Sequence, residues 1–268
     1  MSNGQYLRLR PGVYAPVPTP FKDDGTGGIN LAAFDSIVSR IGKAGVGVLV
    51  GGTLGEGPLL ERDERTTLVR SAKKTLRDAG CHDETPVIVG IFGASVRECV
   101  AQAHDAASAG ADAVIVVAPA YFAFVYGKDK TAVAGFFSAV ADDSPLPVMI
   151  YNIPFAAGGI DLDAQTLIGL SYVSVKLSCV KLYQTAVEAL DTRDFGLLLE
   201  AQQLQDLITT ADSVINKAGF LGIKTAMCIH VDDKMSGGFR KPLQLPGTTV
   251  QEDLRSGLQT IFNHENTL

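Results

Sequence analysis

The sequence is poor in the features that mark secreted, metal-binding and membrane proteins. Its four cysteines, Cys81, Cys99, Cys179 and Cys228, are scattered along 268 residues with no CxxC pair. They read as reduced thiols of the cytosol, which excludes a disulfide framework and a thiolate metal site. The four histidines are equally dispersed, no HExxH or similar ligand spacing occurs, and no bound metal is expected. No apolar run approaches the ~20 residues needed to cross a bilayer. Met1 to Arg10 holds no hydrophobic segment of the secretory kind. A net charge of −6 without a basic cluster argues against nucleic acid and anionic membrane as partners. A cytoplasmic globular protein is the expectation, and 46% hydrophobic with 19% charged residues fits it.

What the sequence does have is a repeated alternation. Short apolar runs begin at Gly12, Gly45, Pro86, Ala113, Pro147 and Val173, each a buried-strand pattern rich in β-branched residues. Between them lie segments of helical spacing: Leu31 to Lys43 with Asn30 as N-cap, Glu61 to Ala79, Ser95 to Ala109 stopped by Gly110, Lys130 to Ala141, and Leu162 to Leu170. Six strand–helix alternations of near-continuous apolar strands imply a parallel sheet covered on both faces. A doubly wound sheet is one solution. No GxGxxG follows the first strand, and polar residues collect after strand ends along the whole chain, so a (β/α) barrel is preferred. After Cys179 the pattern changes. Val180 to Leu190, Phe195 to Ala218, Gly222 to Ile229 and Val250 to Phe262 read as helices, and no further buried strand follows. The expectation is one barrel domain over residues 1–268, with 180–268 mainly C-terminal helices.

The candidate chemistry sits where these strands stop. Val173-Ser-Val-Lys-Leu-Ser178 places Lys176 opposite in facing to Val175 and Leu177. If it points into a barrel, desolvation lowers its pKa from ~10.4 toward ~7–8 and makes the amine nucleophilic toward a ketone carbon. Taken alone, a strand-edge lysine snorkelling to water is the simpler reading. Pro147-Val-Met-Ile-Tyr-Asn-Ile-Pro154 ends in Tyr151, either a core tyrosine bonded to backbone or a proton-transfer group. Gly52-Thr53-Leu54-Gly55-Glu56 closes the second strand. Its glycines let backbone N–H groups approach a carboxylate, or simply make a tight turn. Thr53 adds a hydroxyl able to orient Tyr151, and Tyr121 either joins the same network or packs in a loop. Glu56 is a weaker candidate for a base. Glu61-Arg62-Asp63-Glu64-Arg65 reads as a solvated first helical turn, and Gly127 to Lys130 as a surface loop.

Gly52-Thr-Leu-Gly-Glu56, Ala118-Pro-Ala-Tyr121, Tyr151-Asn-Ile-Pro154 and Val175-Lys-Leu-Ser178, in that order, resemble the dihydrodipicolinate synthase / N-acetylneuraminate lyase family. The resemblance covers Gly12 to about Cys179, with helices after Val180 like that family's C-terminal helices. It implies a TIM (β/α)8-type barrel with a C-terminal helical extension and metal-free class I aldolase chemistry, with no cofactor beyond the imine formed on a lysine. On this resemblance Lys176 is the Schiff-base lysine, Tyr151 shuttles the proton and Thr53 links the tyrosines. Thr53 and Leu54 hold the 2-oxo acid carboxylate through their N–H groups, framed by Gly52 and Gly55. Tyr121 reaches a neighbouring subunit's site, so a homo-oligomer is implied, commonly a tetramer built from dimers. The substrates implied are a 2-oxo acid such as pyruvate and an aldehyde. The loop Phe155-Ala-Ala-Gly158 lacks the arginine that dihydrodipicolinate synthases carry there, and Leu54 replaces a polar residue. The texture is closer to 4-hydroxy-2-oxoglutarate and 2-keto-3-deoxy sugar-acid aldolases than to a dihydrodipicolinate synthase. Between Cys179 and Val180 the family carries two further strand–helix units, so strands 7 and 8, roughly 50–60 residues, are missing here. The alternatives are dihydrodipicolinate synthase activity, or an inactive, shortened member serving as a binding or assembly protein.

Overall fold

The protein is described from a computed structural model, which describes residues 12–81, 85–163, 188, 192–219, 221–231 and 238–265. These residues sort into two compact units, 12–17 with 38–163 and 18–37 with those from 188 onward. The boundary passes through the first helix.

The first unit is built on five strands: β1 (Tyr14–Pro16), β2 (Gly47–Val50), β3 (Val87–Ile91), β4 (Ala113–Val117) and β5 (Val148–Tyr151). They pair in parallel in sequence order, β1 to β5. The register sets Leu49 beside Ile88, Ile88 beside Ala113, and Ile115 beside Met149. Because successive side chains alternate between faces, one face carries Tyr14, Ile88, Ala113, Ile115 and Met149 as a buried cluster, with Leu49 and Tyr151 packed against it. The opposite residues of β2 to β4, among them Val48, Val50, Val87, Val89, Val114 and Val116, are also buried. The helices between the strands cover that side: α2 (Arg62–Asp78) packs on β2 and β3, α3 (Val96–Ala109) on β3 and β4, and α5 (Lys130–Asp143) on β5. Burial on both sides explains why β3 and β4 read as unbroken apolar runs. The first helix, α1 (Leu31–Lys43), has the predicted bounds, and Asn30 Oδ1 accepts the N–H of Ala33 as its cap.

Helix starts and stops follow local chemistry. Ser95 caps α3 by accepting the N–H of Glu98, and Gly110 ends it in the left-handed region. Asp129 caps α5, accepting the N–H groups of Thr131 and Ala132. A short α4 (Ala123–Tyr126), absent from the sequence reading, follows β4. Its four residues are too few for a periodic signal, and the Tyr126 hydroxyl donates back to Pro119 O.

The second unit is helical from residue 192 onward: α6 (Phe195–Lys217), α7 (Leu221–His230), α8 (Thr248–Gly257) and α9 (Gln259–Glu265). Ala211, Ala226, Leu254 and Leu258 form its buried cluster, ringed by Val214, Ile215, Val250, Ile261 and Phe262. The helix expected over Val250 to Phe262 is two helices. Leu258 caps the first at φ −99°, and Gly257 lies so close to α6 that a Cβ there would stand 2.9 Å from Val214. No strand lies in the described residues after 188. The strand expected at Lys176, the helix expected at Leu162 to Leu170 from residue 164 onward, and most of that expected at Val180 to Leu190 lie outside the described residues; Leu162 and Asp163 are described and are not helical.

Candidate active site

In a parallel sheet of this kind, chemistry collects at the carboxyl ends of the strands. In the first unit that end carries the segments after β2, β4 and β5. The turn after β2 is shaped by its glycines. Gly51 takes φ 58°, and at Gly57 a Cβ would stand 1.9 Å from the carbonyl oxygen of Gly51, so any side chain there would drive the loop apart. Glu56 donates its N–H to Thr53 O at 3.1 Å, and Gly57 donates to Gly52 O at 3.0 Å. Glu56 is buried and takes the left-handed conformation at φ 55°, which costs a side-chain-bearing residue about 1–2 kcal/mol. Strain of that kind persists where the surroundings over-determine the backbone, as they do at functional turns.

Two features of this turn fit an anion. Neither Thr53 nor Leu54 donates its backbone N–H to another described residue. The Thr53 hydroxyl is fully buried and has no hydrogen-bond partner among the described residues. An orphaned buried hydroxyl costs about 1–3 kcal/mol, a cost that an incoming polar group removes.

Tyr151 ends β5 beside Val117 of β4, half-buried and packed on the inward cluster. Burial pushes its phenol above the ordinary tyrosine value, so it stays protonated at neutral pH. Asn152, the next residue, ties down the chain that follows: its amide donates to Asp161 Oδ1 at 2.9 Å and to Leu162 O at 3.2 Å, and accepts from Leu162 N at 3.1 Å. Its role is to fix the exit from β5, which the sequence reading left unassigned.

The hydroxyls of Thr53, Tyr151 and Tyr121 are not joined by hydrogen bonds among the described residues. Tyr121 is 78% exposed, its ring edge-on to Phe122 at 4.9 Å. Phe122, Phe124, Val125 and, from the loop after β5, Phe155 are exposed as well. The residue meant to form the imine, Lys176, lies outside the described residues. Gly52 and Gly55 are buried in the turn and Leu54 is half-buried.

The charge run Glu61 to Arg65 is more than a solvated turn. Glu61 and Glu64 form a reciprocal capping box, Glu61 N donating to Glu64 Oε2 at 2.8 Å. Arg62 pairs with Asp105 of α3. Arg65 is half-buried and donates from Nη1 to Gly57 O at 2.8 Å. Neighbouring signs in a run hide this, because periodicity assigns a face but not a partner across the fold. Gly127 to Lys130 likewise holds the α5 cap, and Lys130 pairs with Asp163.

Residues 10–194 match the Dihydrodipicolinate synthetase family, and the chain belongs to that family. It is 37% identical over 179 residues to the L-threo-3-deoxy-hexylosonate aldolase of Aspergillus niger, a match covering 65% of this chain and 52% of that protein. The chain therefore spans about half the length of that relative. A protein of Emericella nidulans named "Probable 4-hydroxy-2-oxoglutarate aldolase, mitochondrial" is 28% identical over 267 residues, covering 82% of this chain and 85% of that one. Reaching 267 aligned positions with 82% of a 268-residue chain leaves gaps of tens of positions on this chain's side. Among solved structures, a dihydrodipicolinate synthase family protein from Coccidioides immitis superposes with a TM-score of 0.77 at 23% identity, covering 97% of this chain and 98% of that one. The fold is thus the α/β barrel type of the family, and its five described strands form a parallel sheet in sequence order.

Proposed function

We propose that this chain is a class I aldolase that reversibly joins or cleaves pyruvate and an aldehyde, with a product of the 4-hydroxy-2-oxoglutarate or 2-keto-3-deoxy sugar-acid type. The observation that carries it is the turn after β2, where a buried, unbonded Thr53 hydroxyl and two undonated N–H groups stand ready for a carboxylate. In this reading the neutral Lys176 amine adds to the ketone carbon of the 2-oxo acid. The carbinolamine loses its oxygen as water, leaving an imine that serves as electron sink, so no separate cofactor is required. Tyr151, held protonated by burial, gives and takes the proton at the reacting centre. In this reading Thr53 completes the relay. The loop Phe155 to Gly158 carries no cation, which favours these aldolases over a synthase that binds a second carboxylate there. The names of the Aspergillus niger and Emericella nidulans relatives point the same way.

The exposed rings of Tyr121, Phe122, Phe124 and Phe155 support assembly with further copies of this chain through the same end of the barrel. Tyr121 would then enter the neighbour's site. The alignment gaps on this chain's side favour a second reading, a shortened and inactive scaffold.

Borohydride reduction in the presence of pyruvate separates the two. An aldolase gains the mass of one reduced pyruvyl group, and Lys176→Ala abolishes the gain. Tyr151→Phe slows aldehyde release by about 100-fold or more. No gain by the unsubstituted chain, or a gain that survives Lys176→Ala, refutes the aldolase assignment.

A further inference from the structure

We infer that Arg65 is a positioning residue for the carboxylate of the 2-oxo acid, acting through the turn after β2 and not by touching substrate. The inference rests on the aldolase reading. Arg65 lies one helical turn into α2, its N–H bonded to Glu61 O at 3.1 Å. From there its side chain runs along the back of the turn. Its Cγ and Cδ lie 3.7 and 3.9 Å from where a Cβ on Gly51 would stand, and Nη1 donates to Gly57 O at 2.8 Å. Gly51 and Gly57 are the two ends of the turn. They lie against each other so closely that no side chain fits on Gly57. One side chain therefore spans both ends, its stem beside Gly51 and its guanidinium bonded to Gly57. Between them Gly57 N reaches back to Gly52 O, and Glu56 N to Thr53 O. Those two bonds fix the direction in which the Thr53 and Leu54 N–H groups point.

The base under this fastening is stiff. The Glu61–Glu64 capping box fixes the start of α2, and the Arg62–Asp105 pair ties it to α3. Burial pulls the Arg65 guanidinium below its ordinary value, while Glu98, Asp105, Glu61 and Glu64 oppose that shift. A hydrophobic residue could cover Gly51 without that desolvation cost. What it could not supply is the donor to Gly57 O, since a planar fork reaches a carbonyl while its stem packs. The geometry also restrains Glu56, whose left-handed backbone sits between the two fastened ends and relaxes if they part.

The test compares pyruvate with methyl pyruvate, which has the same ketone but no carboxylate charge. Borohydride trapping is titrated with each compound for the unsubstituted chain, Arg65→Met and Arg65→Lys. Arg65→Met keeps the stem and removes the donor. It is expected to raise half-saturating pyruvate by about tenfold and to leave methyl pyruvate within about twofold, because the amide array matters mainly to the charged ligand. Arg65→Lys retains one donor and a charge, and is expected to recover most of the loss, to within about threefold of the original. A residue that only stabilised the fold would reduce the trapped fraction for both compounds alike. Equal shifts for the two compounds, or none, overturn the inference while the aldolase reading stands. If Arg65→Met fails to fold, Arg65→Lys alone decides, by whether its smaller shift is confined to pyruvate. No trapping of either compound by the unsubstituted chain overturns the reading and the inference together.

Discussion

The sheet unit and the helical unit solve burial differently. In the sheet unit, register brings residues from five strands into one stack, and both faces of β3 and β4 are closed. A side chain there, such as Ile88, is touched from the strands on either side. In the helical unit, α6 to α9 meet round four buried residues, Ala211, Ala226, Leu254 and Leu258, two of them alanines. Helix α6 also leaves Phe195, Leu198 and Leu199 at 84%, 50% and 61% exposure over its first turns. The difference teaches how enclosure is achieved: a parallel sheet holds each core side chain between the strands on either side, and a small helical cluster packs a few side chains where helices meet.

The largest effect expected follows from that contrast. Ile88→Ala should cost about 4 kcal/mol and Leu254→Ala about 3 kcal/mol in chemical denaturation, since both side chains are fully enclosed and neither site can collapse completely. Hydrogen exchange followed at the same time assigns each loss to its unit. The comparison breaks if Leu254→Ala costs less than about 1 kcal/mol, because the helical cluster would then not be a close-packed core.

The same contrast explains what could be read from the sequence. Strands β2 to β5 were legible because burial on both faces forces continuous apolar runs, and helices α2, α3 and α5 because one face must meet the sheet. Helix α1 was bounded correctly by Asn30. The split between α8 and α9 was not legible: Val250, Leu254, Ile261 and Phe262 keep helical spacing across Leu258, and the break depends on contact with α6. Thr53, Tyr151 and the turn glycines are singled out as candidates because polar groups at strand ends stand out against apolar runs. Arg65 was hidden inside a charge run, and its carbonyl partner is eight residues away in a loop. The exposed setting of Tyr121 is likewise a property of the folded loop, not of spacing.

A smaller effect sharpens the comparison through pH. In the sheet unit, burial pushes the Cys99 thiol up to about 11 from an ordinary 9.0, assisted by Glu98 and opposed by a bond from the Gly93 backbone. Burial also raises Tyr14, Tyr126 and Tyr151, Tyr14 with help from Asp112. Each group is neutral in the fold and ionises more easily once unfolded. In that window the unfolded chain binds fewer protons, so stability falls as pH rises. Cys99 contributes fully below pH 9, and its share is lost between pH 9 and about 11, about 3 kcal/mol in all. The tyrosines add to the loss above pH 10. Cys99 and these three tyrosines all lie in the sheet unit, so their alkaline loss is expected there. Cys99→Ala should flatten the stability profile from pH 9 to 11. An unchanged slope would show that Cys99 is not the group responsible.

The smallest effect tests whether the two units differ in local chemistry as well as in packing. Asp129 begins α5 in the sheet unit, accepting Thr131 N at 3.0 Å and Ala132 N at 3.1 Å. Asp194 begins α6 in the helical unit, accepting Gly196 N at 2.7 Å and Leu197 N at 3.3 Å. Both carboxylates satisfy two of the first N–H groups of a helix and sit at the positive end of its dipole. Both are exposed, so neither contributes through packing. Asp129→Ala and Asp194→Ala should therefore cost the same, about 1 kcal/mol each, measured as shifts in denaturation midpoint. Equal costs would place the whole difference between the units in their cores. A much smaller cost at Asp194 would mean that the first turns of α6, where Phe195, Leu198 and Leu199 face water, contribute little to the folded state and that the helix is held chiefly from Ala201 and Leu204 onward.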